Sequence, residues 1–354
     1  MNTTPDRPEP IIADIEVVPY KRRMGPQEAV DALIDGYSVL VVDFYSSGLE
    51  VLRFLKQNVN QKYVDQSFSG QREARAAYRD LSNRLLLRVN SHKLVVRKAP
   101  AIGWLKILYP DLNEFLLPFP QVQGLNSSWQ WYEKGIFIPV LKQKIHPWFG
   151  TYFPTRFEHL ELFDHWLKNY RGGKETAFDI GIGSGVLSLM MLKYGFGKIY
   201  GTDTNPNAII GLNEYSKGNK LSGKLSLLHG DLFAESNIPT ELIVFNPPWL
   251  PTSDGSDGLD TAIYYSEDLL PRFFTEAYRR LKTGGRVVLL FSNLANITEV
   301  AITHPIETEL LSGGRFVKEL LVQKKVRPAS NKIKRNQHWR SNEMVELWVL
   351  KKYN

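Results

Sequence analysis

The stretch from Thr176 to Leu192 limits the possible folds of this chain more than any other. Ala177-Phe178-Asp179-Ile180 reads as a buried strand, Gly181-Ile182-Gly183-Ser184-Gly185 as a turn, and Val186 to Leu192 as a helix. Glycines at alternate positions permit a sharp strand-to-helix turn and let a ligand approach the backbone at a helix N-terminus. The spacing Asp-x-Gly-x-Gly-x-Gly differs from the Gly-x-Gly-x-x-Gly of dinucleotide binders, which fits a ligand lacking a pyrophosphate. The next strand, Lys198 to Thr202, ends at Asp203, where an acidic side chain can accept from both hydroxyls of a ribose. A third strand, Leu225 to His229, runs into Gly230-Asp231-Leu232-Phe233.

Further along, the apolar run Leu242-Ile243-Val244-Phe245 reads as another buried strand and ends in Asn246-Pro247-Pro248-Trp249. These residue types suit one kind of chemistry. A nitrogen whose lone pair is tied up in a π system is a poor nucleophile, and a site that uses it must draw the lone pair out of conjugation. The Asn side-chain oxygen and the carbonyl before a proline are acceptors that can take both N–H protons. Proline fixes the backbone and removes competing donors, and it pushes the preceding residue into an extended conformation. Trp249 supplies a flat face for a planar substrate, worth roughly 1–3 kcal/mol per base in nucleic-acid sites.

Taken together, these motifs resemble the class I S-adenosylmethionine-dependent amino-methyltransferases over roughly Gly150 to Lys351. The resemblance implies an α/β fold, a doubly wound, seven-stranded and mainly parallel sheet between about Thr176 and Leu350. Phe316 to Gln323 and Met344 to Leu350 would form its reversed terminal hairpin. It also implies S-adenosylmethionine as cofactor, held by Asp179, Gly181, Gly183, Gly185, Asp203, Asp231 and Leu232, with Asp231 accepting from the adenine amino group. Asn246, Pro247, Pro248 and Trp249 would be catalytic. The segment Tyr152-Phe153-Pro154-Thr155-Arg156-Phe157-Glu158 resembles one that closes over the cofactor in release-factor glutamine methyltransferases, which adds Arg156 to the cofactor set. Phe157 stands where that family has a second proline. His159 and His165 are read as structural, because six residues is not the i,i+4 spacing of helical metal ligands.

The 354 residues suggest two domains. The expected division is a disordered tail at 1–10, a smaller α+β N-terminal domain at 11–149 for substrate recognition, and the methyltransferase domain at 150–354. In the N-terminal region, Pro26 to Leu55 reads as helical or mixed, with Ser38 to Phe44 open to a strand reading. Gln71 to Val89 reads as the cleanest helix, placing Ala74, Tyr78, Leu81, Leu85 and Val89 on one face. With no cysteine there is neither a disulfide nor a thiolate metal site. No metal is expected, no apolar run is long enough for a bilayer, and the expected location is cytoplasmic.

Charge is distributed unevenly. Residues 1–150 carry 19 Lys/Arg against 15 Asp/Glu (+4), residues 151–320 carry 16 against 20 (−4), and residues 321–354 carry 9 against 2 (+7). Basic ends flanking an acidic cofactor domain suggest a polyanion meeting the rim of the site. The basic insert 324–340 carries Lys332, Lys334, Arg335 and Trp339, cations interleaved with an aromatic, which suits an RNA backbone and one stacked base. Thr252 to Asp260 reads as a polar, Gly-rich loop or substrate lid whose Asp-Gly-Leu-Asp resembles the glutamine enzymes. Phe291-Ser292-Asn293 resembles ribosomal RNA guanine-N2 and adenine-N6 methyltransferases. The expected substrate is therefore an exocyclic amine of an RNA base, with N5-methylation of a protein glutamine as the alternative. A catalytically inactive, nucleic-acid-binding subunit is the reading from a different class.

Overall fold

The computed structural model describes residues 4–65, 68–251, 264–298, 303–327 and 342–353. The chain divides into two compact units, Pro5–Lys134 and Gly135 onward. The expected joint at Phe149–Gly150 lies downstream of that division.

The N-terminal unit is built on a five-stranded sheet. Three parallel strands, β1 (Val17–Tyr20), β2 (Ser38–Val41) and β3 (Leu85–Asn90), are linked by α1 (Pro26–Ile34), α2 (Tyr45–Lys62) and α3 (Phe68–Ser82). β3 also pairs antiparallel with β4 (Lys93–Leu94) and β5 (Glu114–Pro118), with α4 (Trp104–Leu108) before β5 and α5 (Phe119–Lys134) after it.

Two expectations are corrected here. The helix expected over Gln71 to Val89 stops at Ser82, where the Ser82 hydroxyl donates to the Arg79 carbonyl, and Leu85 to Val89 belong to β3. Leu85, Leu86 and Leu87 are all buried, as a strand covered on both faces requires and a one-faced helix does not. Arg84 bridges Asp80 at 3.0 Å, and Arg88 bridges Glu114 across the strands. Pro5–Pro10, expected within a disordered tail, packs on the unit instead. The Arg7 guanidinium donates to the Leu108 carbonyl and lies 4.7 Å over the Tyr109 ring, while the Tyr109 hydroxyl donates to the Pro8 carbonyl at 2.7 Å.

The second unit starts with a hairpin, β6 (Ile136–Ile138) and β7 (Gln143–Ile145), followed by an irregular strap and α6 (Glu158–Asn169). Then come β8 (Thr176–Ile180), α7 (Val186–Lys193), β9 (Lys198–Asp203), α8 (Pro206–Gly218), β10 (Leu225–His229), β11 (Thr240–Phe245), the short β12 (Leu250–Pro251) and β13 (Tyr264–Tyr265), α9 (Leu269–Arg280), β14 (Leu281–Ser292), β15 (Phe316–Lys325) and β16 (Met344–Lys352). The main sheet has seven strands in the order β10-β9-β8-β11-β14-β16-β15. All pairings are parallel except those of β16 with β14 and β15, which form the reversed hairpin. This is the doubly wound class I arrangement that the motifs implied.

β11 shows why its sequence is apolar without alternation. Leu242 and Val244 enter the core beneath α6, α7 and α8, while Ile243 and Phe245 enter the opposite core with Phe273, Phe274 and Ala277 of α9. With both faces covered, Leu242 to Phe245 are all buried. The order reverses between β9-β8 and β8-β11, so the carboxyl ends of β8, β9 and β11 open into one crevice, where α/β sheets bind ligands.

Candidate active site

At the end of β8 the backbone turns through Gly181, Gly183 and Gly185, whose φ angles are +63°, +51° and +77°. Two of these positions also leave no room for a side chain. A Cβ on Gly183 would lie 3.1 Å from the carbonyl oxygen of Tyr152, and one on Gly185 would lie 2.6 Å from a Leu212 methyl. The sequence explains the glycines by backbone freedom and by the close approach of a ligand. The close approach of the Tyr152 strap was not visible in it.

Two carboxylates stand at this turn. Asp179 is fully buried; its Oδ2 accepts from the Ser188 hydroxyl at 2.6 Å and its Oδ1 has no partner among the described residues. Burial pushes its pKa up to about 7, against the Ser188 hydrogen bond, and the nearby Asp203 adds to the rise. Asp203, at the end of β9, accepts from the Gly183 N–H through Oδ2 and from the Asn205 N–H through Oδ1, both at 2.8 Å. Burial raises its pKa too, opposed by those two bonds and by His229. Asp203 therefore braces the glycine turn as well as facing the crevice. Among the described residues neither carboxylate is bridged to a Lys or Arg.

After β10, Asp231 is half-exposed and bridged to Arg272, which also holds Asp268 at 2.7 Å. Leu232 (φ +44°), Ala234 (+46°) and Glu235 (+62°) lie in the left-handed region, uncommon for side-chain-bearing residues. Arg280 secures this bend by donating to the Ser236 carbonyl and to Asn237, with its guanidinium 4.6 Å over the Phe233 ring. The Thr202 hydroxyl donates to the Leu232 carbonyl.

Asn246, Pro247, Pro248 and Trp249 follow β11 directly. Burial raises the Tyr152 pKa, opposed by Asn246, and Asn246 Oδ1 is buried without a partner among the described residues. The Trp249 indole N–H donates to the Leu290 carbonyl at 3.4 Å. The ring meets the imidazole of His159 edge-on, with centroids 6.1 Å apart at 85°. His159 is 3% exposed, and its Nδ1 also lacks a partner among the described residues. The sequence reading placed His159 only as structural; its contact with Trp249 had no signature in spacing. Leu250 and Tyr264 pair across the ends of the segment that was read as a lid. That segment, Thr252 to Asp260, lies outside the described residues, as do Lys332, Lys334, Arg335 and Trp339.

The strap between β7 and α6 links these parts. The Gly150 carbonyl accepts from the Asn205 side chain at 2.8 Å, and the Tyr152 carbonyl from the Ser184 N–H at 3.0 Å. The Arg156 guanidinium is committed to the buried Glu343 at 2.8 Å, at the start of β16. Glu158 accepts from the Arg327 N–H, and Glu161 bridges both Lys324 and Arg327 at the end of β15.

A match to the methyltransferase small domain family covers residues 161–309. A Methanocaldococcus jannaschii protein, provisionally named a protein N5-glutamine methyltransferase, is 34% identical over 172 residues, 46% of this chain and 82% of that protein. The release factor glutamine methyltransferase of Moorella thermoacetica is 32% identical over 80 residues, 22% of this chain and 28% of that one. A solved ribosomal protein L11 methylase from Lactobacillus delbrueckii is a more distant likeness, with a TM-score of 0.40 and 17% identity over 60% of this chain and 87% of that one. The chain belongs to the S-adenosylmethionine-dependent methyltransferases of the methyltransferase small domain family. It is an enzyme of class I fold whose cofactor is S-adenosylmethionine. The crevice fits that ligand: a glycine turn stands beside the buried Asp179, whose Oδ1 has no partner among the described residues, and the half-buried Asp203, and the ligand is a cation with a ribose. Among the described residues no helix is long and apolar enough to cross a membrane, and no group of His, Asp or Glu is placed to hold a metal.

The buried imidazole has a consequence for stability. Burial lowers the pKa of His159 from 6.5 to about 4, against the pull of Glu158. Between those values the unfolded chain binds a proton that the folded chain does not, so His159 removes stability as pH falls from 6.5 towards 4. Asp179 acts in the opposite direction, because its folded pKa is the higher one. The His159 effect is therefore isolated by comparing wild type with His159→Gln in urea unfolding. The wild-type advantage should shrink by roughly 3 kcal/mol between pH 7 and pH 4. A gap that does not change with pH rules out a buried neutral imidazole.

Proposed function

We propose that this enzyme methylates a planar, conjugated nitrogen, the side-chain amide of a glutamine in a protein. The observation that carries the reading is Asn246 Oδ1, a buried acceptor with no partner among the described residues, at the end of β11 and beside the cofactor turn. An amide N–H of the substrate satisfies it, and the carbonyl before Pro248 takes the second N–H. Together they draw the nitrogen lone pair out of conjugation. Trp249, held by Leu290 and His159, offers its face to the flat amide. When bound, S-adenosylmethionine supplies the electrophilic methyl group. Asp203 accepts from the ribose, Asp179 adds negative charge beneath the turn, Asp231 and Leu232 receive the adenine, and Arg156 keeps the strap in place over them. The choice of a protein glutamine over a nucleobase is supported by the relatives, two of which are named for glutamine methylation.

An exocyclic amine of an RNA base is the second reading, favoured by the excess of nine Lys/Arg over two Asp/Glu in residues 321–354 and by the Lys332, Lys334, Arg335 and Trp339 pattern. Mass spectrometry of tryptic peptides and of RNA nucleosides from cells lacking the protein separates the two. One methyl group lost from a glutamine-containing peptide, with nucleosides unchanged, is the expected result. A methyl group lost from RNA with the peptides intact transfers the assignment to a base.

Asn246→Ala should lower kcat on the order of 100-fold, because it removes a preorganised acceptor that strengthens in the transition state. Its affinity for S-adenosylmethionine by titration calorimetry should stay near wild type, and wild-type kcat in this variant would end the assignment. Asp203→Asn should behave in the opposite way. Weakened charge-assisted bonds of roughly 1.5–3 kcal/mol raise KM for S-adenosylmethionine and leave kcat at saturation little changed. An unchanged cofactor affinity places the ribose elsewhere.

A further inference from the structure

We propose that Arg272 gives the cofactor site its preference for adenine, by fixing which oxygen of Asp231 faces the base. The inference rests on the reading of Asp231 given above, as the residue that receives the adenine. A carboxylate has two equivalent oxygens, so a half-exposed one that turns freely presents no fixed acceptor. It becomes selective when a donor holds one oxygen and leaves the other in a set position. In the structure the Arg272 Nη1 donates to Asp231 Oδ2, and Asp231 Oδ1 accepts from no described residue. The bridge therefore leaves one oriented acceptor. A carboxylate bridged to a guanidinium has no proton to offer, so that oxygen suits an amino group and gains nothing from a base without one.

Arg272 is itself held in place. It lies in the first turn of α9, where its Nε bridges Asp268, four residues earlier, at 2.7 Å. With Nε on one carboxylate and Nη1 on the other, the plane of the guanidinium is set, which the single point of charge on a lysine cannot reproduce. Asp231 is seated as firmly. The Gly230 N–H donates to the Asp203 carbonyl at 3.0 Å, and the Ala234 N–H to the Asp231 carbonyl at 2.8 Å. His229 of β10 pairs with Asp203 of β9, so the ribose and adenine acceptors follow neighbouring strands, which lie about 4.8 Å apart. Further along α9, Phe273 stacks on Phe233 with centroids 6.2 Å apart, and Arg280 donates to the Ser236 carbonyl. The helix thus grips the bend after β10 at both ends, and its first contact is the one with Asp231. The Arg272 and Asp231 side chains are 45% and 51% exposed, and a bridge so exposed adds little to folding. Its effect is on orientation, and a variant without it keeps the fold.

The test is binding, measured by titration calorimetry, and needs no substrate. The two probes are S-adenosylhomocysteine and its analogue with hydrogen in place of the 6-amino group. Wild type should bind the amino compound about tenfold or more tightly than the analogue, as one hydrogen bond to a charged group supplies. Arg272→Gln should weaken S-adenosylhomocysteine at least about fivefold and the analogue less than about twofold, so that most of the preference is lost. Near-wild-type binding of the analogue also shows that the variant is folded. Equal losses for the two ligands mean that Arg272 only braces the bend, and they overturn the proposal. A preference that Arg272→Gln leaves at its wild-type value overturns it as well. Asp231→Ala separates the proposal from the reading beneath it. Where Asp231→Ala abolishes the preference and Arg272→Gln does not, the adenine acceptor stands and the role of Arg272 falls. Where wild type shows no preference, or Asp231→Ala retains it, the base is recognised elsewhere and both fall.

Discussion

The carboxylate of Asp203 is the point from which the active-site crevice is organised. With one oxygen on the Gly183 N–H and the other on the Asn205 N–H, it ties the end of β9 to the turn after β8 and to the start of α8. A left-handed glycine turn has no intrinsic preference for one shape, because glycine gives up more conformational freedom than any other residue when it is ordered. A charge-assisted bond to a backbone amide from the neighbouring strand supplies that preference. Asn205, oriented by the same carboxylate, then reaches the Gly150 carbonyl, and the strap carrying Tyr152 comes to lie across the turn. Removing this one side chain would disturb three segments that are distant in sequence.

Much of the catalytic unit could be read from the chain because its features are local. The strand-turn-helix from Thr176 to Leu192, the acidic residue ending β9 and the Asn-Pro-Pro-Trp after β11 each announce themselves within a few residues, and the sheet order follows once the strands are placed. The N-terminal unit was harder for identifiable reasons. Leu85 and Val89 continue the helical period of Ala74, Tyr78 and Leu81 by coincidence, and only the run Leu85-Leu86-Leu87 reveals a strand covered on both sides. The helix Phe119–Lys134 carries Pro120 in its first turn and shows little apolar periodicity in its sequence. Features made by contacts distant in sequence were not legible at all: Arg272 bridging Asp231, His159 against Trp249, and the Tyr152 carbonyl on the Ser184 N–H.

Burial at the site serves different ends. Asp179 and Asp203 are desolvated carboxylates, costly in themselves, whose discomfort is relieved by an arriving cation. His159 is desolvated in the neutral form and stiffens the back of the Trp249 ring without adding charge near the reacting nitrogen. The strained bend at Leu232, Ala234 and Glu235 is held by Arg280, so this stretch of backbone is set before anything binds.

The ion pairs flanking residues 328–341 differ in exposure, and that difference has a consequence. At the end of β15, Lys324 and Arg327 reach Glu161 with side chains 39% and 72% exposed, so counterions compete for them directly. At the start of β16, Glu343 is 4% exposed and its partner Arg156 33%, so added salt screens that bond less. Rising ionic strength therefore weakens these ion pairs unequally, those at the end of β15 first, while the bond that fastens the strap at Arg156 persists.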